Sequence, residues 1–345
     1  MTLDAPRQLR SRQAQGERAI GVIGAGAWGT ALAQMLASDG REVLLWAREP
    51  ELVEEINALR SNSLFLPGAR LAESVRCTGD LSEASACEVL LLVTPAQHLG
   101  AVLNGLGSYP RDLVLCAKGI EAGSGRLMSD VARSAAPASE IAVLSGPTFA
   151  HEVATGMPTA VTLACAGGHP QWERLSAAIA RPNFRPYYSE DVIGAEIGGS
   201  VKNVLAIACG VVEGLGLGQN ARAALIARGY AEMMRFGEAL GAHRDTLAGL
   251  CGLGDLVLTC TSTSSRNFSL GKALGEGRSP EELMADRRTV AEGAHTAPVL
   301  VELAARHGVS MPITTAVYHL LQGSPARDIV SNLLARPLKS EGSAA

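Results

Sequence analysis

Ile20-Gly21-Val22-Ile23-Gly24-Ala25-Gly26-Ala27-Trp28-Gly29-Thr30 decides the fold of the N-terminal half. Four residues of strand character run into G-x-G-x-x-G, and an alanine-rich helical stretch follows through about Ser38. A lone glycine pattern accompanies many tight turns. Set between a strand and a helix, it is the fingerprint of a dinucleotide-binding turn. Gly24 is expected to permit the turn, Gly26 to let the backbone approach a pyrophosphate, and Gly29 to let the helix pack on the strand. The helix N-terminus adds unpaired N–H groups and a partial positive charge.

The next strand, Val43–Trp46, continues into Ala47-Arg48-Glu49. An acid at its end commonly binds the adenine ribose of NAD, whereas an arginine can fork onto the 2′-phosphate of NADP. Arg48 favours NADP. Glu49 as a ribose ligand shifted by one, and Arg48 as a solvated loop arginine, stay open.

Further outward, apolar and β-branched runs alternate with helical stretches. Candidate strands are Ile20–Ile23, Val43–Trp46, Val89–Val93, Leu113–Cys116, Ile141–Leu144 and Ala160–Ala164. The alternation predicts an α/β fold: an N-terminal Rossmann-type, mainly parallel sheet covered by helices. Past a proline-broken stretch, Arg181–Pro186, strand patterns fade and an all-α C-terminal domain is expected. In it Leu225, Gly229, Met233, Phe236 and Leu240 recur at helical spacing, with Asn220 placed as N-cap and Gly241 just past the end. The expected division is a disordered leader over 1–17, a dinucleotide-binding domain over 18–190, a helical substrate domain over 191–337 and a disordered tail over 338–345.

The chain has 345 residues, 47% of them apolar and 19% charged, enough for two cores. A net charge of −4 without any block of like charges offers nothing to a nucleic-acid backbone. The seven cysteines are scattered and never spaced as C-x-x-C, which suits buried free thiols in a reducing compartment. The seven histidines show no ligand spacing, so no metal is expected. No apolar run is read as membrane-spanning, and the first residues lack a signal-peptide core; a soluble, cytoplasmic protein follows. Any self-association is expected to be a homodimer.

Three patches are chemically odd. Between Ile193 and Val212 the only charges are Glu196 and Lys202, so Lys202 sits on a helix that reads as buried on most sides. Desolvation could lower its pKa into the range of a general base. Gly252-Leu253-Gly254-Asp255-Leu256 places an acid between glycines and an apolar run. Thr261 to Asn267 is rich in hydroxyls and ends in Ser265-Arg266-Asn267, a set able to cup a phosphate.

Taken in order, G-A-G-A-W-G-T at 24–30, A-K-G-I-E at 117–121, S-G-P-T-F-A at 145–150, V-K-N at 201–203, G-L-G-D-L at 252–256, S-R-N at 265–267 and V-A-E-G at 290–293 resemble the bacterial-type NAD(P)-dependent glycerol-3-phosphate dehydrogenases. The resemblance spans about residues 18–335. It implies interconversion of dihydroxyacetone phosphate and sn-glycerol 3-phosphate, with Lys202 as the proton acceptor, and a supply of glycerol phosphate for phospholipids. It further implies cofactor contacts from Gly24, Gly26, Ala27, Trp28, Gly29, Arg48, Phe65, Lys118, Ala150, Arg266, Val290 and Glu292. Substrate contacts are implied for Lys118, Gly146, Thr148, Lys202, Asp255, Ser265, Arg266 and Asn267. Ala27 stands where a serine is frequent and Phe65 where a tyrosine is usual, so one hydroxyl is lost at each. A β-hydroxyacid dehydrogenase would share the lysine on a helix without needing the Ser265–Asn267 loop. A non-catalytic dinucleotide sensor would need neither Lys118, Lys202 nor Asp255.

Overall fold

The computed structural model describes residues 19–107, 110–285 and 291–337. Its chain divides into two compact units. The first comprises residues 1–117, 128–144 and 148–192; the second comprises 118–127, 145–147 and 193–345. The leader and tail lie outside the described residues, as does Val290.

An eight-stranded sheet runs in the order β3-β2-β1-β4-β5-β6-β7-β8. The strands are β1 (Ile20–Ile23), β2 (Val43–Trp46), β3 (Val75–Thr78), β4 (Val89–Leu92), β5 (Asp112–Leu115), β6 (Glu140–Ser145), β7 (Thr159–Cys165) and β8 (Phe184–Ser189). β3, β2, β1, β4, β5 and β6 pair in parallel, as do β7 and β8. Parallel strands need crossovers, which pack helices on the sheet and bury it on both faces. Helices α1 (Ala27–Leu36), α2 (Pro50–Leu59) and α3 (Gly168–Ile179) cover one of these faces, setting Leu32, Leu36, Ile56, Leu175 and Ile179 against Val22, Leu45, Leu91, Val114 and Leu163. β1 is followed in sequence by β2 on one side of it and neighbours β4 on the other. The strand order reverses there, and ligands of such sheets bind beyond the strand ends at that point.

Two strands escaped the sequence reading. β3 is four residues long and includes Arg76, too short and polar for a clear alternation. β8 includes Pro186 and begins inside the stretch read as broken by proline. As the last strand in the order it is an edge, where a missing N–H can face away from the ladder.

The second unit is helical. α4 (Val192–Gly214), α5 (Gly218–Ala239), α6 (Asp255–Cys260), α7 (Arg266–Gly275), α8 (Glu292–Arg306) and α9 (Pro312–Leu321) are its main elements. Ile197, Val201 and Leu205 of α4, Met233 and Phe236 of α5, Leu256, Phe268, Leu300 and Val317 form its core, joined by Ile120 and Leu127. At 23 residues and mean hydropathy 1.4, α4 is long and apolar enough to cross a membrane, contrary to the expectation from sequence. Its composition has another cause, since 94% of its apolar window is buried inside the protein. Asn220 is not the N-cap of α5: the helix already begins at Gly218 and takes no side-chain cap. Gly241, just beyond α5, is left-handed at φ 91° as expected.

α4 and α7 touch through main chain. A Cβ built on Gly210 or Gly214 would overlap backbone of Phe268 or Lys272, and one on Gly271 or Gly275 would overlap backbone of Ile207 or Val211. Contacts step together along both helices, Asn203 with Asn267, Ile207 with Gly271, Val211 with Gly275, so the helices run parallel. Elsewhere Glu232, 1% exposed, receives the Ile313 and Thr314 N–H groups at 2.7 and 3.2 Å and so caps α9 from α5.

Candidate active site

In the first unit the three glycines divide their work as their spacing suggests. Gly24 has φ 113°, and a Cβ there would press on Val93 and Thr94 backbone at 3.1–3.2 Å, just past β4. A Cβ on Gly29 would overlap the Gly24 carbonyl oxygen. A Cβ on Gly26 meets nothing within 4 Å, so this glycine leaves a face of the turn open where the other two are crowded. Gly26 is also the N-cap of α1, with no side chain capping it and no acid in the first turn. An uncapped ten-residue helix start beside an open glycine suits an anionic phosphate group. Trp28 follows, and its indole Nε1 is buried with no hydrogen-bond partner.

Ala27, Trp28 and Phe65 are half-buried against the first core, and Ala150 begins a short helix that also packs there. Arg48 extends into solvent, its side chain 77% exposed, with the guanidinium 3.0 Å from Glu49. Thr148 belongs to this unit and is partly exposed. One residue here escaped the sequence reading. Asn62 is 1% exposed and donates to the Ala25 carbonyl and to Thr30 Oγ1 at 2.9 and 2.8 Å. It belongs to no regular element, and the surrounding Ser61-Asn62-Ser63 gives no sign in sequence that it is a buried anchor.

In the second unit Lys118, Lys202 and Asp255 form one cluster. Asp255, wholly buried, accepts from Lys118 Nζ at 2.9 Å on Oδ2 and from Lys202 Nζ at 2.5 Å on Oδ1. Lys202 also donates to Thr259 Oγ1 at 3.0 Å, and Lys118 to the Gly146 carbonyl at 3.4 Å. Thr259 is four residues beyond Asp255 on α6, one helical turn, and therefore shares its face. A single π-helical turn, Leu250–Gly254, leads into α6 and sets the position of Asp255. Gly199, one turn before Lys202, leaves room for Lys118: a Cβ there would lie 3.4 Å from Lys118 Cγ and 3.0 Å from Ser145 Oγ.

The two lysines diverge in protonation. Burial, helped by the neighbouring Lys118 charge, pulls Lys202 down to about 8 although Asp255 opposes it. Burial pulls on Lys118 too, but the Asp255 carboxylate outweighs it and holds that amine above its ordinary value. The side chain of Lys202 is 6% exposed and that of Lys118 15%. Glu292, at the start of α8, is pushed up by burial against the pull of Arg266, Lys118 and Lys202, which places it in the same electrostatic cluster.

Ser265, Arg266 and Asn267 are not one exposed loop. Ser265 caps α7 by accepting from the Phe268 N–H at 3.2 Å. Asn267 is buried, giving Nδ2 to Asn203 at 3.0 Å and receiving the Gly293 N–H at 2.9 Å. Arg266 is the exposed member, on the first residue of α7.

A glycine turn at the reversal point of a Rossmann sheet, with a helical unit holding a buried lysine of lowered pKa, defines a dinucleotide-dependent dehydrogenase. Comparison with known proteins narrows the class. Residues 19–169 match the N-terminal region and 191–331 the C-terminal region of NAD-dependent glycerol-3-phosphate dehydrogenase. The chain is 72% identical over 322 residues to glycerol-3-phosphate dehydrogenase [NAD(P)+] of Erythrobacter litoralis, covering 93% of this chain and 97% of that one. It is also 72% identical over 323 residues to the protein of that name from Novosphingobium aromaticivorans, covering 93% and 98%. The crystal structure of glycerol-3-phosphate dehydrogenase from Coxiella burnetii superposes with a TM-score of 0.88 at 39% identity, covering 93% of this chain and 99% of that one. The chain belongs to the NAD-dependent glycerol-3-phosphate dehydrogenase family.

Proposed function

We propose that the chain is a cytoplasmic NAD(P)-dependent sn-glycerol-3-phosphate dehydrogenase that works mainly as a reductase of dihydroxyacetone phosphate and supplies glycerol phosphate for phospholipids. The observation that carries the reading is the buried Lys202–Asp255–Lys118 cluster, in which one amine is tuned near neutrality and its neighbour stays charged.

On this reading residues 18–190 hold the cofactor. The open face at Gly26 and the uncapped start of α1 take the pyrophosphate, with Ala27, Trp28, Gly29, Phe65 and Ala150 about it. Arg48 takes a 2′-phosphate, which makes NADP the preferred form. Lys118, Arg266, Val290 and Glu292 complete the cofactor contacts from residues 191–337 and the short 118–127 segment. A bound nicotinamide supplies the hydride donor for reduction and the hydride acceptor for oxidation.

The chain's own residues manage the proton. In oxidation the neutral Lys202 Nζ takes the C2 hydroxyl proton as the C2–H bond breaks and C2 becomes a carbonyl; in reduction the Lys202 ammonium returns it. Asp255 holds both amines by separate oxygens, and Lys118 remains a fixed cation for the oxygen on which charge develops. Arg266, with Gly146, Thr148, Ser265 and Asn267, orients the phosphorylated substrate.

Initial rates with dihydroxyacetone phosphate, measured separately with NADH and NADPH, test the reading. Turnover of the phosphorylated ketone far above that of dihydroxyacetone is expected, because remote binding energy positions the reacting carbon. Equal turnover of the two ketones would move a β-hydroxyacid substrate ahead, and no turnover would leave a dinucleotide sensor.

A further inference from the structure

We propose that Asn62 is a positioning residue that aims the Gly26 N–H at the pyrophosphate, a proposal that rests on the reading of the glycine turn as the pyrophosphate site. Asn62 lies far from the G-x-G-x-x-G stretch in sequence, yet its carboxamide is spent on that turn. Nδ2 donates to the Ala25 carbonyl at 2.9 Å and to Thr30 Oγ1 at 2.8 Å. Thr30 Oγ1 in turn donates to the same carbonyl at 3.2 Å. The Ala25 oxygen is therefore gripped by two donors, from buried side chains that are 1% and 0% exposed.

The consequence follows from peptide geometry. In a planar trans peptide the C=O and the following N–H point in opposite directions. Holding the Ala25 oxygen inward turns the Gly26 N–H outward, away from Asn62. Were this one peptide to flip, the carbonyl oxygen would face outward and repel an anion. A glycine at 26 makes such a flip easy, since it has no Cβ to resist. Openness at Gly26 thus has a cost in definition, and the Asn62–Thr30 pair removes it. The other end of the same carboxamide is also used: Oδ1 accepts from the Phe65 N–H at 3.0 Å, and the Asn62 carbonyl accepts from the Leu66 N–H at 2.9 Å. Phe65 and the glycine turn are accordingly fixed by one side chain.

Asn62→Ala tests this without adding charge near the turn. Binding of NADPH and of ADP-ribose, which contains the pyrophosphate, is measured beside adenosine 2′-monophosphate, which lacks it. The variant is expected to weaken NADPH and ADP-ribose about tenfold or more, on the scale of one lost buried hydrogen bond, and adenosine 2′-monophosphate less than about twofold. kcat at saturating NADPH is expected to fall less than the dissociation constant rises. A folded variant that binds ADP-ribose like the unmodified protein, or loses both ligands equally, overturns the proposal. If Asn62→Ala does not fold, Thr30→Val carries the same comparison, with a selective but smaller loss expected and no selective loss overturning it. Should the unmodified protein bind ADP-ribose no more tightly than adenosine, which carries no phosphate, the pyrophosphate reading itself fails and takes this proposal with it.

Discussion

Asn267 donates a hydrogen bond to Asn203 across two parallel helices, and each of the pair directly follows a charged residue, Lys202 and Arg266. The bond fixes the register of α4 against α7, and with it the placement of the amine proposed to move a proton relative to the guanidinium proposed to hold the phosphate. A proton acceptor must meet one carbon's hydroxyl while the phosphate is held elsewhere on the same small molecule, so this register carries functional meaning.

Lys202→Met keeps length and helix propensity while removing the amine. Turnover is expected to fall roughly a hundredfold or more with cofactor affinity nearly unchanged. In the unmodified protein the rate of glycerol 3-phosphate oxidation should rise with pH through about 8, as Lys202 loses its proton, and the rate of ketone reduction should fall over the same range. A pH profile of kcat in both directions checks this, and flat profiles would remove Lys202 from proton transfer.

Arg266→Lys preserves charge but not the planar fork that matches a phosphate. Because Ser265 and Asn267 are occupied within the fold, the exposed Arg266 is expected to carry most of the side-chain contribution to the proposed phosphate binding. KM for dihydroxyacetone phosphate should rise about tenfold or more, with a modest loss of NADPH affinity. Steady-state kinetics with both substrates varied separates the two effects.

Arg48→Ala should weaken NADPH by about 1–3 kcal/mol if a charge-assisted contact to the 2′-phosphate is lost, and NADH much less. Among the described residues its partner is the neighbouring Glu49, on a surface where ion pairs contribute little, so stability should hardly change. Fluorescence titration with each cofactor gives the ratio, and equal losses would mark Arg48 as a surface residue.

Glu232 sets a pH dependence of stability unconnected with catalysis. Burial, outweighing the N–H groups it receives from α9, raises its carboxyl from an ordinary 4.5 to about 7. The folded chain therefore holds this proton more tightly than the unfolded chain. Its contribution to stability is full below about 4.5 and is lost as pH rises to about 7, on the order of 3 kcal/mol over the interval. Glu232→Gln, which removes the titrating carboxyl and keeps one oxygen to accept from Ile313 N–H while losing the acceptor for Thr314, should flatten that part of the curve at some cost in stability. Urea melts at pH 5, 6 and 7 check it.

Periodicity and turn chemistry made the sheet legible from Ile20 to Ala164, because buried parallel strands are continuous apolar runs. β3 and β8 failed the same test, one through an arginine and the other through an edge proline. Lys202 stood out because a charge inside an apolar helix needs a reason. The burial of Ser265 and Asn267 did not show, since a hydroxyl- and amide-rich stretch reads alike whether it cups a ligand or caps a helix. Asn62 was invisible for a related reason: nothing local distinguishes an asparagine in a loop from one whose partners lie 32 and 37 residues away.

The glycine faces of α4 and α7 bear on how this protein can be altered. At Gly210, Gly214, Gly271 and Gly275 the two helices meet backbone to backbone, with no side chains between them. Reach between the Lys202 amine and the Arg266 guanidinium is thus ruled by peptide planes, which mutation cannot shave thinner. Substitution there can only pry the helices apart, and the register that Asn203 and Asn267 keep would go with them. An attempt to admit a longer phosphorylated ketone has no slack to recover along this seam and must look to the surrounding loops.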